Sequence, residues 1–374
     1  MKRRLAAFAA SCLVALAILE LALRLAPEFP GMRLANATWS RYGRFPGGIY
    51  ARERASGVYF MWPSQRVENY WNGHRWRHAT DSLGFRNPEG ASHDVLLLGD
   101  SLIYGHGVDE EATVAHFLRA EHGIGAYNMG RQGACFYDQY VYLRTFAAEL
   151  RPRTIVLFVF LNDFDDLEVY RSAEKIATLP ETAYDYAGIR RWAATLAERR
   201  PGAVRSFFAS LPSFRLLRGV AKSLSGPVGF ATPAWAASKP ETPLPANAPP
   251  YLAPLASDER FAAIRDYYFR LFDDLRSRDG VRGSRILWVF LDAGSDARGF
   301  PREQGRGMRL LDDLAARFDG AAFDTRPIYA DCGDCFLPRD GHYTAEGHRR
   351  LARFVADALG AELPSRAAPP SAAR

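Results

Sequence analysis

Two groups in this sequence are equipped for covalent chemistry: a serine at the end of an apolar run, and a histidine two residues after an aspartate. Val95-Leu96-Leu97-Leu98 has the pattern of a parallel strand buried on both faces, and Gly99-Asp100-Ser101 ends it. Far downstream, Asp340-Gly341-His342 precedes Thr344 to Leu359, whose apolar residues Leu351, Phe354, Val355 and Leu359 recur at helical spacing. Ser101 would supply a nucleophile, His342 a base, and Asp340 a carboxylate to orient that base. Taken singly, each piece is ordinary, because Gly, Asp and Ser are common turn residues. His342 is distinguished among eight histidines by Asp340 before it and the helix start behind it. His348 falls within that helix as a surface or packing residue. His74, His78, His93, His106, His116 and His122 show no comparable arrangement.

Two more predicted strand ends lie between these groups. Ala126-Tyr127-Asn128-Met129-Gly130-Arg131-Gln132-Gly133 closes a short segment with two glycines, ahead of a helix expected near Asp138. A glycine there lets a backbone N–H approach a substrate oxygen. Thr154 to Leu161 is β-rich and apolar, and ends in Asn162-Asp163. The Asn162 amide can donate into the same crevice, or it is simply a turn residue. Asp163 is expected to brace the loop rather than react. Thr113 to His122 and Phe261 to Leu275 have helical spacing. Arg285 to Leu291 and Ala321 to Asp324 complete the strands, and ligands in such open sheets bind at the carboxyl ends.

These segments, VLLLGDSLIYGHGV, YNMGRQGACFYDQY, LFVFLNDFDD and PRDGHYTAEGH, resemble in order and position the four blocks of the SGNH/GDSL hydrolases. The upstream DSLGFRNP (Asp81 to Pro88) is similar to a segment of membrane-anchored bacterial members, which are often linked to surface or exported polysaccharides. The resemblance implies a flavodoxin-like, three-layer α/β/α sandwich on a mostly parallel five-stranded sheet. It implies Ser101 as nucleophile, His342 as general base and then acid, and Asp340 as its support. It also implies an oxyanion hole of the Ser101 and Gly133 backbone N–H groups and the Asn162 side chain; Gly133, rather than Gly130, matches the family position. The sequence departs from the family twice. Asp340 and His342 are separated by one residue where many members have two, and Phe160 stands where the third block often has glycine.

The implied function is a serine esterase acting on acyl esters, acetyl foremost, of an exported or cell-envelope carbohydrate. An O-acyltransferase on polysaccharide, a lipase or thioesterase, and a non-catalytic polysaccharide-binding assembly factor are the alternatives. The acyl carbohydrate is the expected substrate and polysaccharide-assembly proteins are candidate partners. No cofactor or metal is expected.

The N-terminus places the enzyme. Lys2, Arg3 and Arg4 precede a run from Leu5 to Leu25 that Ser11, Glu20 and Arg24 alone punctuate. At ~1.5 Å per residue it spans about 31 Å, enough for a bilayer. An uncleaved anchor in the inner membrane, with the domain outside in the periplasm, is favoured over a signal peptide because no small-x-small cleavage site follows the run. The sequence divides into an anchor (1–26), an aromatic-rich extension (27–92), a hydrolase domain (93–362) with an insertion (164–258), and a low-complexity tail (363–374). Tyr59, Phe60, Trp62, Tyr70, Trp71 and Trp76 of the extension either stack on sugar rings or pack it onto the domain. The insertion has helical patches, Ile189 to Arg199 and Phe207 to Val220, then a Pro- and Ala-rich tether, Pro227 to Pro254; a lid, a substrate platform or a plain surface excursion all fit.

Four cysteines are present. Cys332-x-x-Cys335 favours a local disulfide over a zinc site in an oxidising compartment, fixing the loop before Asp340. The formal charge of +6 comes almost wholly from arginine, with four lysines in the chain. It suits anionic surfaces, and no nucleic-acid motif accompanies it.

Overall fold

The structure is a computed structural model that describes residues 2–26, 49–71, 74–164, 185–198, 258–291, 301–338 and 340–360, with scattered residues between 207 and 255. Strands β5 (Val95–Leu98), β6 (Ala126–Asn128), β7 (Thr154–Val159), β8 (Arg285–Phe290) and β9 (Ala321–Asp324) form one sheet in the order β6-β5-β7-β8-β9. Every pairing in it is parallel. The predicted "mostly parallel" sheet is therefore wholly parallel among the described residues. The apolar runs explain this: β5 and β7 are buried along their whole length, which requires cover on both faces.

Helices supply that cover. Ahead of the sheet lies α1 (Lys2–Leu25); within it come α2 (Ser101–Tyr104), α3 (Val114–His122), α4 (Phe136–Leu150), α5 (Tyr186–Leu196), α6 (Asp258–Arg276), α7 (Pro301–Arg317) and α8 (Ala345–Gly360). α3 packs on α8, and α4 packs on α5 and α6. Right-handed crossovers put these two groups on opposite faces, because β5 to β6 steps one way and every later step goes the other. The three-layer sandwich follows. α3 starts where Thr113 caps it, accepting from the His116 N–H, and stops at Gly123 in the left-handed region.

The boundaries shift slightly from those predicted. α4 begins at Phe136 rather than near Asp138, because Asp138 reaches back to the Cys135 N–H and closes the first turn. β7 ends at Val159, two residues early, because the Phe160 N–H turns to donate to Asp163 Oδ2 (3.1 Å).

The aromatic extension is two hairpins, β1 (Tyr50–Arg52) with β2 (Tyr59–Met61) and β3 (Arg66–Trp71) with β4 (His74–Ala79). Phe60 and Trp76 are buried in the same core as the sheet, so these two rings serve packing. The predicted tether Pro227–Pro254 lies outside the described residues, apart from Leu252, as do the tail 363–374 and most of the insertion. α1 is long and apolar enough to cross a membrane and is almost wholly exposed; a signal sequence passes the same test.

Candidate active site

Ser101 opens α2 directly after β5. The turn is tight because Gly99 has no side chain: a Cβ there would meet Ile103 Cγ1 at 2.5 Å and Phe158 Cβ at 3.1 Å. Asp100 caps the helix by accepting from the Leu102 N–H at 2.9 Å. Burial pushes the Asp100 carboxyl above its usual range, opposed by the Leu102 bond, the charge of His342 and a hydrogen bond from Asn162. Asp100 therefore shapes the turn and holds Asn162; it does not face Ser101 as a base.

Upstream, the DSLGFRNP segment locks this turn from behind. Arg86 is fully buried, and its guanidinium donates to the carbonyls of Tyr104 (2.8 Å), Gly105 (2.7 Å), Val108 (2.9 Å) and Arg77 (3.1 Å). It also lies 4.6 Å from the centre of the Tyr104 ring. Asn87 pairs with the backbone of Asn128 in both directions, and Asp81 accepts from the Tyr127 hydroxyl at 2.5 Å. One short segment thus ties β6 to the loop after Ser101.

The glycine block lies beside the serine. Asn128 donates to the Ile103 carbonyl and accepts from the Gly130 N–H. A Cβ on Gly130 would strike the Tyr104 N–H, so Gly130 is the close-approach glycine of the block. Gly133 has a different need, a φ of +64°. Arg131 fixes that conformation through bonds to the Gln132 and Gly133 carbonyls and an ion pair with Asp138 at 2.7 Å. Asn162 sits in the turn after β7, and its side chain is hydrogen-bonded to Asp100. Asp163 is fully buried and accepts from Phe160, the bracing geometry expected of it.

His342 reaches this crevice from a loop ahead of α8. Its Nε2 lies 2.7 Å from Ser101 Oγ, and its Nδ1 is hydrogen-bonded to Asp340 Oδ1. The single-residue spacing suffices because the same carboxylate oxygen also accepts the His342 backbone N–H at 3.2 Å. Burial by itself would push the Asp340 carboxyl up. The hydrogen bond and charge of His342, with the nearby His106, outweigh it and hold Asp340 well below the usual carboxylate range. Asp340 stays ionised and can stabilise an imidazolium as it forms. The structure thus brings together Ser101, His342 and Asp340, with Asn162 hydrogen-bonded to Asp100 next to the serine and Gly133 in the loop after β6.

That loop is braced locally. Leu337 N–H donates to the His342 carbonyl, Phe336 bridges to Tyr343, and Tyr343 stacks on Tyr329 with ring centres 4.9 Å apart. Cys332 and Cys335 are joined by a disulfide just upstream. His74 Nε2 and the Pro338 carbonyl are 3.2 Å apart, and the neighbouring Arg75 donates to the Arg24 carbonyl in the last turn of α1.

Sequence reasoning missed His106. Its ring stacks on His342 with centres 4.2 Å apart, lies 4.6 Å from Trp76 on a tilted ring, and bonds through Nδ1 to the Gln132 amide. Gln132 in turn accepts from Tyr50. The His342 imidazole is therefore held by a wall drawn from β1, β4 and two loops. Only the place of His106, five residues after Ser101, hinted at it. His348 is fully buried, and burial with the charge of Arg86 lowers its pKa to about 3, so it packs as a neutral ring. His106, Asp340 and His342 each offer a donor atom within 4.8 Å of the others, a spacing a metal could use. Both His342 nitrogens are already engaged, by Asp340 and by Ser101, which favours the hydrogen-bonded arrangement.

No family model matches this chain, and no curated protein does. Solved structures do match. One is TesA, at 14% identity over 72% of this chain and 99% of that one, with a TM-score of 0.36. A second is a putative lipolytic protein of the G-D-S-L family from Desulfitobacterium hafniense DCB-2, at 10% identity over 71% and 98%, TM-score 0.37. A third is a catalytic mutant of Axe2, an acetylxylan esterase from Geobacillus stearothermophilus, at 14% identity over 75% and 100%, TM-score 0.35. Likenesses this distant leave the chemistry to be judged from the site's own residues.

Proposed function

We propose that this protein is a serine ester hydrolase of the SGNH type. The observation that carries the proposal is the relay from Ser101 Oγ through His342 to Asp340. His342 Nε2 takes the proton as Ser101 Oγ attacks the ester carbonyl. The tetrahedral oxyanion is held by the Ser101 and Gly133 N–H groups and the Asn162 amide. Return of the proton to the leaving alcohol leaves an acyl-enzyme, which water then cleaves by the reverse relay. His342 is partly exposed, as a group that must meet substrate has to be.

The substrate proposed is an acylated, foremost acetylated, carbohydrate of the cell envelope, with α1 as an inner-membrane anchor and the domain in the periplasm. The block resemblance supports the first part. The apolar length of α1, its basic leader and the Cys332–Cys335 disulfide support the second. A sugar hydroxyl in place of water would make the enzyme an O-acyltransferase through the same acyl-enzyme.

A fluorophosphonate probe tests the chemistry. It should label the chain and fail to label Ser101→Ala; labelling that persists in the variant, or none in the native chain, would remove the proposal. Turnover of short-chain nitrophenyl esters and of an acetylated polysaccharide, with and without a sugar acceptor, then separates hydrolysis from transfer. Activity should survive a chelator, since the relay already occupies both His342 nitrogens.

A further inference from the structure

Among the described residues, large apolar side chains are left exposed in two places only: along α1, and at Phe207, Phe208, Phe214 and Leu217 of the insertion. A water-soluble surface rarely keeps such a group together. The three phenylalanines form one cluster, with Phe208 5.6 Å from Phe207 and 6.2 Å from Phe214 between ring centres. Leu217 is 69% exposed.

The second place is joined to the first. Glu20 of α1 accepts from the Ser213 backbone N–H (3.1 Å) and from its hydroxyl (2.9 Å), and pairs with Arg24 one turn away. A carboxylate inside an apolar helix needs such partners. Its depth can be counted. Arg4 at the inner boundary and Glu20 are sixteen positions apart, about 24 Å along a helix. In a hydrocarbon layer of about 30 Å, Glu20 and the bound Ser213 would lie about 6 Å beneath the outer boundary. That is the depth at which amphipathic elements seat their apolar face, about 5–10 Å. The charge pattern agrees: from Arg199 to Pro240 the sequence holds seven basic residues and no acidic one, complementary to anionic headgroups.

We infer that the patch of Phe207, Phe208, Phe214 and Leu217 is a second membrane contact, seated in the outer leaflet of the bilayer that α1 spans and pinned there by Glu20 and Ser213. The inference rests on α1 as an inserted anchor. The insertion is then a foot that sets the tilt of the domain, rather than a lid.

The test uses the full chain with Cys12→Ser and one added cysteine carrying an environment-sensitive nitrobenzoxadiazole label. It is reconstituted in vesicles of phosphatidylcholine and phosphatidylglycerol with brominated acyl chains. A label at Leu217→Cys should be quenched by brominated lipid at least about 3-fold more than one at Arg191→Cys on α5, and be shielded from aqueous iodide. Glu20→Leu should reduce that lipid quenching about 2-fold or more by removing the pin. A Leu13→Cys label separates the two ideas. If Leu13 is lipid-quenched while Leu217 is iodide-quenched, the second contact is wrong and the anchor stands. If neither is lipid-quenched, the anchor itself fails and the inference with it. Shielding of Leu217 from iodide that is lost on diluting protein in lipid, without lipid quenching, would mean contact with a second copy, and would overturn the proposal. Hydrolysis of a soluble ester by each labelled chain confirms that it is folded.

Discussion

The serine side and the histidine side of the site are built on different principles. Ser101 sits on a strand-to-helix turn that a steric limit at Gly99 and the buried Arg86 both enforce. His342 sits on a loop held by short-range bonds, one disulfide and a stack of rings. The first is fixed by the core of the domain and cannot move without unfolding it. The second is fixed by bonds within the loop, by Tyr329, and by His74, His106 and Trp76, and can loosen while the sheet stands. The proposed mechanism needs both, because the proton would pass over the 2.7 Å between them.

This contrast is sharpest in variants that separate chemistry from folding. Ser101→Ala and His342→Ala should each lower kcat by about 10⁴–10⁶-fold with an unchanged melting temperature, and the double variant should be no worse than either. An additive double variant would mean that the two residues do not share one step. Arg86→Met attacks the serine side through its frame. It strands four carbonyls, so urea denaturation should show a loss of about 3–5 kcal/mol, with activity falling only as the folded fraction falls. Asn162→Ala should cost about 10²–10³ in kcat with little change in KM, since an oxyanion donor acts chiefly in the transition state.

Smaller effects are expected on the histidine side. Reducing the Cys332–Cys335 bond, which closes a loop of sequence separation 3, should cost about 2 kcal/mol at most and slow turnover a few-fold through the His342 loop. Fluorophosphonate labelling should slow in parallel while the backbone amides of Tyr104, Gly105 and Val108 keep their protection from hydrogen exchange. The pH response is the finest probe. Asp340 has a folded pKa held below its unfolded value, so its contribution to stability is complete above the ordinary carboxylate range, near pH 4. It is lost as pH falls from there through the lowered folded value. The stability gap between the native chain and Asp340→Asn should therefore be constant at neutral pH and close in acid; a gap that persists in acid would deny the pairing.

Much of this was legible in the sequence, for a physical reason. β5 and β7 are buried on both faces, so their composition alone announces them, and functional residues at strand ends follow from the sheet. The glycine and asparagine blocks were visible because each holds a residue type that the turn demands. The wall behind His342 was not visible. His106, Gln132, Tyr50 and Trp76 meet only when β1 and β4 fold over the loop after Ser101, and nothing local marks that meeting. The hairpins themselves were not read: the aromatic content announced packing, but not the strand pairing that delivers it. Arg86 was legible as a motif and illegible as a device, because its four acceptors are main-chain carbonyls that any sequence would offer.

The β3–β4 hairpin touches both ends of the problem. Arg75 holds the last turn of α1 while its neighbour His74 meets the loop that carries Asp340 and His342, and Leu23 is buried just before that turn. Adjacent residues of a strand are about 3.3 Å apart, so the route from the end of α1 to the loop of Asp340 and His342 is a shortcut. Under the proposed anchoring, the height of the site over the lipid would be set by this clasp and not by the length of the connecting chain. Under that anchoring such a centre would be a fixed station on the bilayer, and its substrate would have to be brought to it.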